Sequence, residues 1–324
     1  MPPSKLPTSL RWIVAGLAVW GLLIAVERVC QSSLVPLDVF AAHANRAVDP
    51  SVDRTFLFAT SRWRNYVDSR LGSEVEVIGV GGGTPAVLTA LMFAQTERAT
   101  QRPVLLDLNV GRNRGYDYSK VVYGLMGRPD IVEALARDGW GHWYQRFPGL
   151  RFFGIFPEMF RRAVRIRGMG TLQTGFFERP PVKDSEGGIP ALRIAYYGAE
   201  SGEVGGGPGL ARAVAERRRT GCGFNYTAEE SRWFVQAVQA LAPRKVAVIV
   251  SPLHGACWER FDGLEAWNAL LAELRAEPNV ILIDYSRDVL PDEDYADTTH
   301  LSGIGATRFS ERVHRDLAER GLRL

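Results

Sequence analysis

Net charge is almost absent from this chain of 324 residues: 39 Lys and Arg stand against 36 Asp and Glu, a formal +3 at pH 7. So small a surplus leaves no electrostatic footprint for a nucleic acid. The one dense basic cluster, Arg161-Arg-Ala-Val-Arg-Ile-Arg167, reads equally as a solvated face or as a contact with anionic lipid. Cysteine is scarce, at three residues, too few for a scaffold stapled by many bridges. Cys30 follows an apolar run, while Cys222 and Cys257 read either as a pair formed in an oxidising compartment or as two partly buried thiols. Long apolar runs are missing except for residues 12–26, which follow Lys5 and Arg11 and have no polar interruption. A membrane span needs about 20 residues and a signal-peptide core fewer, so this run lies between the two. A buried amphipathic helix would carry polar residues at helical spacing, and none is present. A cleaved signal would be followed closely by small residues. Glu27-Arg-Val-Cys30 stands there instead, and Ala42-His-Ala44 is too far downstream. The expectation is an uncleaved signal anchor: residues 1–31 form a cytoplasmic tip and one transmembrane helix, and the rest is exported to the periplasm or cell surface.

The remaining composition, 46% hydrophobic and 23% charged, is that of an ordinary folded protein, and its patterning is α/β. Residues 32–54 read as a connector. Strands are expected at 55–59, 75–78, 104–108, 245–250 and 280–284, with helices between them at 85–95, 227–241 and 264–276 and a last helix at 305–320. Thr227-Ala-Glu-Glu230 has the form of a capping box. Strands alternating with helices predict a mainly parallel sheet covered on both faces, a three-layer α/β/α sandwich over residues 55–324. The stretch 111–221 breaks this rhythm. Weakly periodic and rich in aromatics and arginines, it is expected to be an insertion or lid.

The glycine loop after the second strand, Gly79-Val-Gly-Gly-Gly-Thr84, invites a dinucleotide reading, with Asp107 placed where a ribose-binding acid would sit. That fingerprint needs glycine where Thr84 stands, would normally follow the first strand, and leaves other strand-end residues unexplained. Ligands of open parallel sheets sit beyond the carboxyl ends of the strands. The loops there are Thr60-Ser-Arg62, residues 79–84, Asn109, Ser251-Pro-Leu-His254 and Asp297-Thr-Thr-His-Leu-Ser-Gly-Ile-Gly-Ala306. An Asp three residues before a His reaches the imidazole Nδ1–H, fixes the tautomer and leaves Nε2 to take a proton. A serine at the end of the first strand would supply that proton.

In these residues the chain resembles the SGNH, or GDSL-type, hydrolases, most closely their membrane-anchored branch serving alginate O-acetylation and teichoic-acid D-alanyl transfer. The resemblance covers residues 55–110 and 225–320. It implies Ser61 as nucleophile in Ala59-Thr-Ser-Arg62, where Ala59 and Thr60 replace the usual Gly and Asp. It implies Gly82 as an oxyanion donor, and Asp297 and His300 as the rest of a triad, followed by the matching Leu-Ser-x-x-Gly-Ala. The third block, Gly-x-Asn-Asp, has no clean counterpart, and Asn109 is its nearest candidate for a second oxyanion donor.

The expected activity is acyl-ester chemistry on an extracytoplasmic glycan, by hydrolysis or by O-acyl transfer, which the same triad serves equally. Arg62, His254 and Trp143 are the candidate substrate contacts, Trp143 as part of a wall formed by the 111–221 insertion. No cofactor or metal is implied. The expected partners are the glycan, the membrane held by the N-terminal helix and a membrane acyltransferase. The rival reading, motivated by the altered first block and the missing third, is a non-catalytic accessory protein that keeps the fold and binds a glycan or a membrane partner.

Overall fold

Five short runs of aliphatic and β-branched residues pair side by side, all in parallel, in the computed structural model of the chain. The structure describes residues 7–34, 44–45, 47–59, 65–79, 85–96, 101–108, 122, 124–157, 205–224, 226–322 and 324. The strands are β1 (Thr55–Ala59), β2 (Val75–Gly79), β3 (Val104–Asp107), β5 (Val246–Val250) and β7 (Val280–Asp284), in the spatial order β2-β1-β3-β5-β7. β1, β3 and β5 are buried at every position. This is why they read as continuous apolar runs: a strand covered on both faces has no polar side to alternate with. A separate two-stranded ladder pairs β4 (Cys222–Gly223) with β6 (Phe261–Asp262), also in parallel.

The helices are α1 (Thr8–Leu34), α2 (Asp68–Leu71), α3 (Pro85–Thr96), α4 (Pro129–Arg137), α5 (Gly207–Thr220), α6 (Ala228–Ala240), α7 (Leu264–Ala276) and α8 (Gly303–Glu319). Thr227 caps α6 as its sequence predicts. Its hydroxyl accepts the Glu230 amide at 3.1 Å, and the Glu230 carboxylate accepts the Thr227 amide at 2.7 Å. On one face of the sheet, Leu57, Ala59, Leu105, Ala247, Ile249 and Ile283 pack with Phe309, Val313 and Leu317 of α8 and Leu210 of α5. Each such fully buried aliphatic side chain contributes about 1.5–3 kcal/mol relative to exposure. This burial is what holds α8, and the loop that precedes it, against the strands.

The chain divides into two compact units, 1–45 with 122–190 and 46–121 with 191–324. The second holds the sheet. The first holds α1, α4 and two 3₁₀ turns at Trp143–Arg146 and Phe153–Ile155. The stretch expected to be one insertion is thus divided: 122–157 belongs with the N-terminal helix, and 205–221 with the sheet. Its helix α4 is also more regular than the weak periodicity expected of it, with Pro129 in its first turn and a buried stripe of Ile131, Val132, Leu135 and Ala136. Residues 8–29 of α1 are long and apolar enough to cross a membrane.

Candidate active site

The strand order reverses at β1. The chain steps from β1 to β2 on one side, then returns to place β3 on the other, so the β1 and β3 connections leave in opposite directions and open a crevice at the carboxyl ends of the two strands. Side chains around this edge form a connected set in the sheet unit. Asp107, the last residue of β3, is fully buried, and its Oδ1 accepts hydrogen bonds from the Tyr66 hydroxyl at 2.7 Å and the Ser251 hydroxyl at 2.6 Å. A carboxylate so enclosed cannot serve a ribose, which removes the remaining support for a dinucleotide site. Tyr66 and Ser251 also lie 3.0 Å apart, so the ends of β3 and β5 and the segment after β1 are tied to one another.

The loop before α8 presents the predicted dyad. Asp297 Oδ2 lies 2.8 Å from His300 Nδ1. Its other oxygen accepts the backbone amides of Thr299 at 2.7 Å and His300 at 2.9 Å, and the Thr299 hydroxyl at 3.0 Å. The spacing Asp-x-x-His therefore serves two ends at once: one carboxylate oxygen closes the turn and the other orients the ring. The amide of Ala296 completes the loop by donating to the His300 carbonyl at 2.9 Å. The Asp297 side chain is 44% exposed and that of His300 20%. Partial burial opposes ionisation of Asp297 and is the largest single influence on it. The His300 hydrogen bond and charge, with the two amides, together outweigh that influence and hold the carboxyl well below the usual carboxylate range.

Three further contacts fix this loop. Ser302 caps α8, its oxygen accepting the Gly305 amide at 3.2 Å while its hydroxyl donates to the Glu293 carbonyl at 2.7 Å. Gly305 sits so close to the Asp294 carbonyl oxygen that a Cβ would come within 2.1 Å of it. This is the physical content of Leu-Ser-x-x-Gly-Ala: a cap, and a glycine where two backbones touch. The third contact joins the loop to the segment that follows β1 in sequence. Asn65, fully buried, accepts the Leu301 amide on its Oδ1 at 2.8 Å. The residue next to His300 is thereby bonded to the residue four places after Ser61.

Ser61, Arg62, Gly82 and Asn109 lie outside the described residues. Their flanks do not: Ala59 ends β1, Gly79 ends β2 and Leu108 follows β3, all at the carboxyl edge of the sheet. His254 is held as a structural group. Its Nδ1 accepts the Ala256 amide at 3.2 Å, its Nε2 lies 3.3 Å from Asp292 Oδ1, and its own amide donates to the Thr298 carbonyl at 3.1 Å. Both ring nitrogens are engaged within its own turn and by Asp292, and the backbone of His254 ties the loop after β5 to the Asp297 loop. Trp143 belongs to the other unit, where its ring meets Tyr144 and Phe147 edge-on.

Cys222 and Cys257 are joined as a disulfide, and the Cys257 Sγ lies 3.6 Å from the Thr298 carbonyl. From α5, Arg217 Nε reaches the Thr298 hydroxyl at 3.3 Å. Reading the sequence alone missed Asn65, Tyr66 and Arg217, and gave Ser251 a place but no partner, because nothing in the local pattern marks a polar residue whose partner is 41 to 236 positions away. Among the described residues no group of three or more His, Cys, Asp or Glu side chains converges as metal ligands would. No known protein family's profile matches the chain, and no curated protein shows significant similarity to it.

Proposed function

We propose that this chain is a serine-dependent acyl-ester hydrolase or O-acyltransferase of the SGNH type, acting on an extracytoplasmic glycan from a membrane anchor. The observation that carries the reading is the Asp297–His300 dyad, preset at 2.8 Å and bonded through Asn65 to the segment that bears Ser61. In this scheme Ser61 Oγ attacks the acyl carbonyl and His300 Nε2 takes its proton, while Asp297 stabilises the imidazolium. The tetrahedral oxyanion is held by the Gly82 and Asn109 donors. Its collapse breaks the bond to the leaving alcohol, which receives the proton from His300 and leaves an acyl-serine. Water or a sugar hydroxyl, deprotonated by the same imidazole, then releases the acyl group. Arg62 contacts the acidic glycan or the acyl donor, and a membrane acyltransferase supplies or receives the acyl group.

Two features support the compartment and architecture. Lys5 and Arg11, which precede the uninterrupted apolar run 12–26 of α1, favour a cytoplasmic N-terminus with the sheet unit outside, where the Cys222–Cys257 disulfide is stable. The burial of β1, β3 and β5 at every position, with α8 and α5 packed on one face, supports a three-layer sandwich. The test is turnover of 4-nitrophenyl acetate by the full chain in detergent. Activity lost to background in Ser61→Ala supports the mechanism; undiminished activity removes Ser61 from it. Glycan binding without turnover by the wild type favours the accessory reading.

A further inference from the structure

In the unit formed by α1 and residues 122–157, the charged Glu27 and Arg151 are turned inward while three aromatic side chains are turned outward, the reverse of their ordinary placement. Glu27, near the end of the apolar span, is 4% exposed. It accepts the Gly149 amide at 2.7 Å and lies 3.8 Å from Arg151, which also pairs with Glu133. Arg146 folds back onto the carbonyl of Ala136 at 3.0 Å, at the end of α4. Against this, Trp143 is 68% exposed, Phe153 60% and Phe147 41%.

Contact with α1 sets the depth of these rings. Phe147 meets Trp20 edge-on at 6.4 Å, and Gly149 lies so near the helix that a Cβ would come within 3.0 Å of the Ile24 side chain and 3.1 Å of its amide nitrogen. Residues 8–29 at about 1.5 Å per residue make roughly 33 Å, the thickness of a hydrocarbon core with little to spare. Trp20 and Ile24 then lie about 13 Å and 8 Å inside the Val29 end. Polypeptide at that depth must satisfy its own backbone. The amides of Gln145, Phe147, Leu150, Phe153 and Ile155 each donate to the carbonyl three residues earlier, at 2.9–3.1 Å, and that of Gly149 goes to Glu27.

We infer that residues 143–153 form a second membrane contact, a platform whose Trp143, Phe147 and Phe153 rings insert among the acyl chains of the leaflet on the Val29 side of the anchor. The inference rests on α1 spanning the bilayer and is independent of the acyl-transfer chemistry. The occupant of the exposed aromatic face is lipid because the face is continuous with the lipid-facing surface of α1.

The test uses the full chain with Cys30→Ser, reconstituted in phosphatidylethanolamine and phosphatidylglycerol vesicles. Single cysteines at Trp143→Cys, Phe153→Cys and, on α1, Val14→Cys carry an environment-sensitive fluorophore. All three side chains are more than half exposed, so the fold does not depend on them. The platform requires positions 143 and 153 to be quenched at least twofold more by lipids brominated along their acyl chains than by aqueous iodide, with Val14 quenched by the same lipids. Iodide access at 143 and 153 with Val14 still in lipid would overturn the platform and leave the anchor standing. Iodide access at all three would remove the anchor and the platform with it.

Discussion

Replacing Asp297 with Asn isolates the orientation of His300 from the fold of its loop. The amide keeps an oxygen for the Thr299 and His300 amides, now 2.7 and 2.9 Å away, so the turn can close as before. It also puts an NH₂ where the carboxylate faces Nδ1 at 2.8 Å, which forces Nδ1 to accept and moves the ring proton to Nε2. A protonated Nε2 cannot take the proton of Ser61. In a triad of this kind the wrong tautomer costs about 10⁴ in kcat, or roughly 5 kcal/mol of barrier. The stability cost is far smaller. A charge-assisted bond is worth about 1.5–3 kcal/mol, and exposure of nearly half the carboxylate reduces that to about 1 kcal/mol, a Tm shift of roughly 2–4 °C. Ester turnover and thermal unfolding of the two proteins check both halves. Turnover within tenfold of wild type, in a variant that unfolds normally, would refute the role given to Asp297. A Tm loss above 10 °C would make that role structural.

Asn65→Ala leaves the buried Leu301 amide without its acceptor, a loss of about 1–3 kcal/mol in denaturant unfolding, and turnover should fall with it because the segment bearing Ser61 is released from His300. Gly305→Ala forces a methyl against the Asp294 carbonyl and should cost about 2–4 kcal/mol, read from the midpoint of urea unfolding. Reducing the Cys222–Cys257 bridge opens a closure 35 residues apart in sequence and should lower stability by about 3–4 kcal/mol on the chain-entropy account, measured as a shift in midpoint with and without reductant. Acid supplies a sign test. The Asp297 carboxyl binds its proton less readily folded than unfolded, so its stabilisation is complete above about pH 4 and is lost as pH falls below that. Between pH 5 and pH 3 the wild type should therefore lose more thermal stability than Asp297→Asn.

The parts of this molecule that sequence reveals are those whose physics is local. β1 at 55–59, β7 at 280–284 and α7 at 264–276 fall where their apolar runs place them, and Thr227 caps α6 because a capping box needs only four residues. The dyad was legible for the same reason. Asp297 and His300 are three residues apart, and the turn between them is closed by Asp297 itself. α5 was not. It is entered through Gly206 and Pro208, buries only Leu210 among its described positions, and so shows no stripe to mark it as a helix.

What remained hidden is nonlocal, and it is also what makes a site of these pieces. Asp107 looked like a ligand-binding acid because it ends a strand, yet its carboxylate is buried and accepts both the Tyr66 and Ser251 hydroxyls. Spanning 41 and 144 positions of sequence, those bonds exist only once β1, β3 and β5 are adjacent. Asn65 to Leu301 spans 236. Such contacts cannot form before the sheet does, and once formed they make the position of the His300 loop depend on the same packing that orders the strands. The dyad's internal geometry is thus encoded in the five consecutive residues 296–300, while the tie of its loop to the segment after β1 is encoded in the whole sheet. Loss of Asn65 should accordingly disturb turnover more than it disturbs the 2.8 Å contact between Asp297 and His300. In nuclear magnetic resonance spectra of Asn65→Ala, a retained downfield Nδ1–H signal alongside reduced turnover would separate the loop's tie from the dyad's orientation, and loss of that signal would show that the two cannot be separated.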